Sequence, residues 1–174
     1  MFKTTFLLPA VAVALTGLVG GPAQSAETTY TVKLTGKAQL PAPIETPAEG
    51  ELSLVVSADG RSIRYVLTVK DLENASAADL HLGPTVANGP LVAKLFPVGN
   101  AAPKKGPFSG VLAQGTIDAA DLIGPLAGGS LSELTEQMAA GNAYCNVHTN
   151  DGKDPPNSGP GDYRLGEIRG QITK

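Results

Sequence analysis

One cysteine, no tryptophan and two histidines occur among the 174 residues of this chain, and each scarcity excludes something. A lone Cys145 cannot form an intrachain disulfide, so the fold rests on an ordinary core. Aromatic residues make up only 5% of the chain, against 21 glycines and 14 prolines. That composition favours many short strands separated by turns over a helical bundle. Positive charge is not in excess either: 13 Lys and Arg stand against 16 Asp and Glu. The chain therefore has no electrostatic reason to bind nucleic acid or an anionic membrane. There is no P-loop, no G-x-G-x-x-G after a strand, no H-E-x-x-H and no cysteine pair with zinc spacing. A G-x-S-x-G elbow is also missing, so nucleophilic catalysis has no support and a non-enzyme is expected.

What the N-terminus does contain sets the expected compartment. Lys3 precedes an apolar run over residues 6–19, interrupted by Pro9 and followed by Gly20, Gly21, Pro22 and the small-residue segment 23–26. A positive start, an apolar middle too short to span a bilayer and an A-x-S site predict a signal peptide over 1–25, cleaved after Ser25. Cleavage removes one lysine, so 12 basic residues remain against 16 acidic ones and the charge becomes −4. The expected mature protein, residues 26–174, is one domain, secreted or periplasmic, with no membrane span.

Periodicity predicts an all-β fold. Residues 29–37 alternate with Tyr30, Val32 and Leu34 on one face. Prolines 41, 43 and 47 make 39–49 a loop. Residues 51–57 and 62–70 alternate around Asp59-Gly60, which predicts a hairpin with a tight primed turn. Strands are further expected over 77–82, 91–96 and 106–115. The period then changes. Asp118 and Asp121 bracket a one-turn start, Ser130 and Glu133 form a capping-box pattern, and Leu131, Leu134 and Met138 line one side of a helix that stops at Gly141. A short helix crossing between strands fits a Greek-key β-sandwich.

The chain ends in GNAYCNVHT (141–149), a Pro/Gly/Asn-rich loop, and RLGEIRGQI (164–172). With HLGPTVANGPLVAKLF (81–96) and GVLAQGTIDAADLIGPLAGGSLSEL (110–134), this pattern resembles the CHRD domain over residues 29–174. The resemblance implies an exported binding or structural module whose partner is an extracellular or periplasmic macromolecule. Family members often carry H-x-H where this chain has Asp79-Leu80-His81, and an aliphatic residue at Cys145. A looser similarity of order, through 79–81, Val147-His148 and 164–168, links the chain to the copper/zinc superoxide dismutases, which are Greek-key sandwiches. Their other histidines and their disulfide have no counterparts here, so the similarity bears on fold and not on dismutase activity.

Strand geometry sorts the candidate site residues. Cys145 and His148, three apart, point to opposite faces, and Cys145 goes with Ala143 and Val147 as a small core residue. Tyr144, Asn146 and His148 share the other face, as do Asp79 and His81 on their own strand. If the two strands pack together, Asp79, His81, Asn146 and His148 gather on one face, with His81, His148 and Asp79 either ligands of copper, zinc or iron(II), or a hydrogen-bonded network without metal, or each histidine simply satisfied by a backbone carbonyl. Glu167 and Arg169 also share a face. They are either a ligand carboxylate and an anion-guiding guanidinium, or structural groups that make an ion pair or hold loop carbonyls.

Overall fold

The computed structural model describes residues 26–99, 102–153 and 159–174, with Met1 and Pro155. Residues 2–25 of the expected signal peptide lie outside them. Eight strands follow in order: β1 (Thr28–Thr35), β2 (Glu49–Val56), β3 (Ile63–Glu73), β4 (Ala75–Leu82), β5 (Leu91–Phe96), β6 (Pro107–Ile117), β7 (Ala143–Thr149) and β8 (Ile168–Gln171). The helix α1 (Leu131–Ala139) lies between β6 and β7. Among the described residues no helix is long and apolar enough to cross a membrane.

All strand pairs are antiparallel, in the order β5-β4-β7-β8-β1-β2-β3-β6. The all-β fold is as expected, but its form corrects the sandwich. Thr35 of β1 pairs with Arg169 of β8, which joins what would be two four-stranded layers into a single sheet. The free edges β5 and β6 then come against each other. The Tyr65 hydroxyl, donating to the Leu95 carbonyl at 3.0 Å, bridges that seam. The result is a nearly closed barrel, an arrangement that removes the exposed edges an open sheet would present.

Alternation fills the interior as the sequence implies. Tyr30, Val32 and Leu34, Leu52 and Leu54, Ile63, Tyr65, Leu67 and Val69, and Ala143, Cys145 and Val147 are all buried in one core cluster. On β3 the alternation slips between Val69 and Leu72, where Asp71 adopts φ 52°, and Leu72 still turns inward. Ser130 and Glu133 cap α1 reciprocally, and Leu131, Leu134 and Met138 are its buried face. The one-turn start also forms, with Asp118 capping a 3-10 turn at Ala119–Asp121.

The β2–β3 hairpin forms, but its turn differs from the expected primed type. That type needs positive φ at both central residues, and of the two only Gly60, at 69°, has it. Instead, Gly60 N–H donates to the Ser57 carbonyl. The Asp59 carboxylate accepts from Ser57 Oγ and Arg61 N–H. These side-chain bonds replace the left-handed conformation at Asp59, and the connection between the strands runs over residues 57–62.

Candidate functional site

An antiparallel sheet exposed on one side shows alternating burial, yet β7 is buried on both faces except at the half-exposed His148. Its outward side chains lie under three loops. Gln39, near the start of the 39–48 loop, donates to Asn146 Oδ1 at 2.7 Å. The 83–90 loop touches Tyr144 through Gly89, whose N–H donates to the Tyr144 hydroxyl at 3.0 Å. The 159–167 loop supplies the Leu165 carbonyl, which accepts from Asn146 Nδ2 at 3.1 Å. A buried polar layer therefore lies on the side of the sheet away from the core.

Register places its members. Asp79 pairs with Asn146, His81 with Tyr144 and Ala77 with His148 across β4 and β7. Directly opposed residues share a face, so the alternation argued from sequence holds on both strands. One ligand atom from each of Asp79, His81 and His148 lies within 4.8 Å of the others. The imidazole centroids are 6.4 Å apart and tilted by 42°.

Hydrogen bonds fix which ring atoms face inward. His81 Nδ1 lies 3.0 Å from the Gly89 carbonyl and His148 Nδ1 lies 2.9 Å from the Arg164 carbonyl. A carbonyl only accepts, so each Nδ1 carries a proton and each neutral ring keeps its lone pair on Nε2. His81 Nε2 is buried and has no hydrogen-bond partner. His148 Nε2 stands 3.6 Å from Asp79 Oδ2, too far for a hydrogen bond. One ring nitrogen of each histidine and a carboxylate oxygen thus lie close together, while each Nδ1 is held by a backbone carbonyl. Backbone carbonyls that hold Nδ1–H are the usual outer support of a metal-bound histidine. The described residues offer the donor set that zinc, copper(II) or iron(II) accept, with coordination positions left open.

Burial sets the electrostatics. It pushes the Asp79 carboxyl above the usual carboxylate value, against the opposing pull of His148 and Lys94. It also lowers His81 below the usual imidazole value, with the Gly89 carbonyl opposing and His148 and Arg169 adding to the shift. Both directions favour the neutral groups: at His81 a cation meets little competition from a proton, whereas at Asp79 it must displace one that burial holds more tightly.

The remaining candidates separate. Tyr144 belongs to the site: its ring stacks on His81 at 5.0 Å between centroids and 11° between planes. Arg169 lies with its guanidinium carbon 3.9 Å from the Tyr144 ring centre, at the edge of the patch. It donates to the Pro84 carbonyl and to Gln171 Oε1, so it holds a loop carbonyl and makes no ion pair with Glu167. Glu167 does not join the histidines. Its fully buried carboxylate accepts from Thr46 Oγ1, Thr149 Oγ1 and Gly161 N–H. Asn146 is engaged by Gln39 and Leu165, and Gly166 passes so close that a Cβ there would sit 2.4 Å from the Asn146 amide. Asn146 is thus a fastener between strand and loop. Cys145 is buried on the core side, and burial pushes its thiol up.

Gln39, Thr46, Thr149 and the carbonyls of Gly89 and Arg164 were not singled out from sequence. No periodicity marks a loop residue that folds onto a strand, and a backbone carbonyl has no signature at all. Lys94, opposite Asp79 on β5, was also missed; alternation on 91–96 together with the strand pairing was the signal for it.

The fold and the site define an all-β domain with a polar cluster clasped between strands and loops. The family model of the CHRD domain matches residues 30–156. The chain belongs to the CHRD domain family. That span includes Asp79, His81 and His148 and ends before β8. No curated protein and no solved structure gives a significant match.

Proposed function

We propose that this protein is an exported CHRD module that binds a single transition-metal ion (copper, zinc or iron) through Asp79, His81 and His148. One observation carries the reading: two imidazoles, each held by Nδ1–H on a backbone carbonyl, bring one ring nitrogen apiece within 4.8 Å of each other and of an Asp79 carboxylate oxygen. The unpartnered His81 Nε2 adds to it, because leaving a buried acceptor unpaired costs about 1–3 kcal/mol that coordination would relieve. Oxygen and imidazole donors without thiolate suit copper(II), zinc or iron(II) over copper(I). Bound there, the ion would staple β4 to β7. Export rests on the N-terminal charge, apolar run and A-x-S site. CHRD membership supports a binding or structural role, so the metal serves as the module's ligand or as part of the surface it offers a partner.

Metal analysis of untagged protein from its native compartment, with titration of the stripped protein, tests the proposal. One equivalent of metal is expected, and Asp79→Asn, His81→Gln and His148→Gln should each weaken it by at least about tenfold. Protein that neither arrives with metal nor takes it up, or a His148→Gln variant that binds as well as the wild type, overturns the reading. Export is checked separately by finding the mature chain beginning at Ala26.

A further inference from the structure

The charge balance of the Asp79–His81–His148 cluster is incomplete. A divalent ion held by one carboxylate and two neutral imidazoles keeps one net positive charge. No other Asp, Glu, Cys or His among the described residues joins the cluster. Three protein donors also leave coordination positions free. His81 Nε2 is sealed from solvent, whereas the side chains of Asp79 and His148 keep 11% and 16% of their surface. The free positions therefore open narrowly, along the Asp79–His148 edge.

Lys94 borders Asp79. It pairs with Asp79 across β5 and β4, so the two side chains leave the same face of the sheet, and Lys94 is exposed. Its charge already acts on the Asp79 carboxylate. Once a cation claims that carboxylate, Lys94 faces a site that is itself positive. Two like charges at a narrow opening are a receptor for a small anion. Arg169 does not supply this function: it is fully buried against the Tyr144 ring, so although its Nε has no hydrogen-bond partner it is sealed from an anion arriving from solvent.

Resting on the metal reading above, we propose that the loaded site takes a small monodentate anion, of the size of azide or a short carboxylate, as a further ligand, and that Lys94 draws it in. The narrow opening selects against bulky anions, and the lysine acts as a point charge that needs no fixed geometry.

The test uses the mature protein loaded with copper(II) and titrated with azide, followed by the azide-to-copper charge-transfer absorption. Saturable binding is expected. Lys94→Ala should weaken it about two- to five-fold, the scale of one exposed charge interaction, and Lys94→Glu should weaken it further. Copper affinity should hold or rise in both variants, since each removes a repelling charge. Absence of an azide band on copper-loaded protein overturns the proposal, as does azide affinity unchanged in both variants. Absence of copper binding overturns the metal reading and this inference with it, whereas copper binding without azide binding overturns the inference alone.

Discussion

Replacing Glu167 by alanine should cost about 3 kcal/mol of folding stability, and the estimate follows from three hydrogen bonds. Glu167 is fully buried and accepts from Thr46 Oγ1, Thr149 Oγ1 and Gly161 N–H. Truncation strands each donor, at about 1–3 kcal/mol where burial is complete. The Gly161 amide cannot turn away and bears the full cost. Thr149 is also fully buried, whereas Thr46 is only half-buried and can turn to water. Removing a buried charge returns part of its desolvation cost, which keeps the sum near the lower half of the range. At about 2–4 °C per kcal/mol for a domain of this size, the melting temperature should fall by about 10 °C. Glu167→Gln keeps an oxygen for Thr149 and Gly161 and points an amide at Thr46, whose hydroxyl oxygen can accept, so it should lose only about 1 kcal/mol. Urea unfolding measures both. Hydrogen exchange adds a local reading, because the amides of Gly166 and Glu167 are bonded to Tyr163 and Val147 and should lose protection in the alanine variant. An alanine variant within about 1 kcal/mol of wild type, or a glutamine variant as damaged as the alanine one, refutes the reasoning.

Cys145, buried against Leu80 and Gly170 on the neighbouring strands, should react slowly with a thiol reagent in the native state and rapidly in denaturant. Cys145→Val should cost less than about 1.5 kcal/mol; rapid native labelling would contradict the core placement. The pH dependence of the metal-free protein follows from His81. Its folded pKa is depressed by burial, so the unfolded chain takes up the proton first. Stability is then full above the unfolded value of about 6.5 and is lost as pH falls through the folded one. Asp79 acts oppositely: its folded pKa is raised, so its contribution is largest at low pH and shrinks as pH rises from the unfolded value toward the folded one. Between about pH 7 and pH 5, urea midpoints should therefore show His81→Gln losing less stability, or gaining more, than wild type, since the variant keeps only the Asp79 effect; equal slopes in the two proteins would contradict the assignment.

Most strands were legible because their information is local. Tyr30, Val32 and Leu34, or Ile63, Tyr65, Leu67 and Val69, declare an inner face by alternation alone, and the capping pair Ser130 and Glu133 declares a helix start. The barrel was not legible. Whether two four-stranded layers stack or merge is decided by one pairing, Thr35 with Arg169, between residues whose identities carry no sign of it. The turn at Asp59-Gly60 shows a similar limit. The dipeptide announces a reversal, but Ser57 and Arg61, by bonding to the Asp59 carboxylate, choose its form.

The site divides in the same way, and the division says how it was assembled. Alternation removes Asp79, His81, Asn146 and His148 from the core, and the 141–149 and 81–96 segments stand out even without coordinates. What alternation cannot supply is a reason for outward polar groups to be buried. That reason is the 39–48, 83–90 and 159–167 segments, which bring Gln39, the Gly89 carbonyl and the Arg164 and Leu165 carbonyls onto the sheet. Each carbonyl that takes an Nδ1 proton sets a tautomer, and each tautomer aims a lone pair. A sheet face alone would let both rings turn toward water. The loops remove that freedom in advance, so an arriving ion meets oriented donors and loses less of its binding energy to ordering them. Glu167 has its place in this scheme at one remove. By anchoring the 159–167 segment through Gly161 and Thr149, it keeps the Arg164 carbonyl over His148. Glu167→Ala should therefore weaken metal binding as well as folding, although its carboxylate takes no part in the cluster.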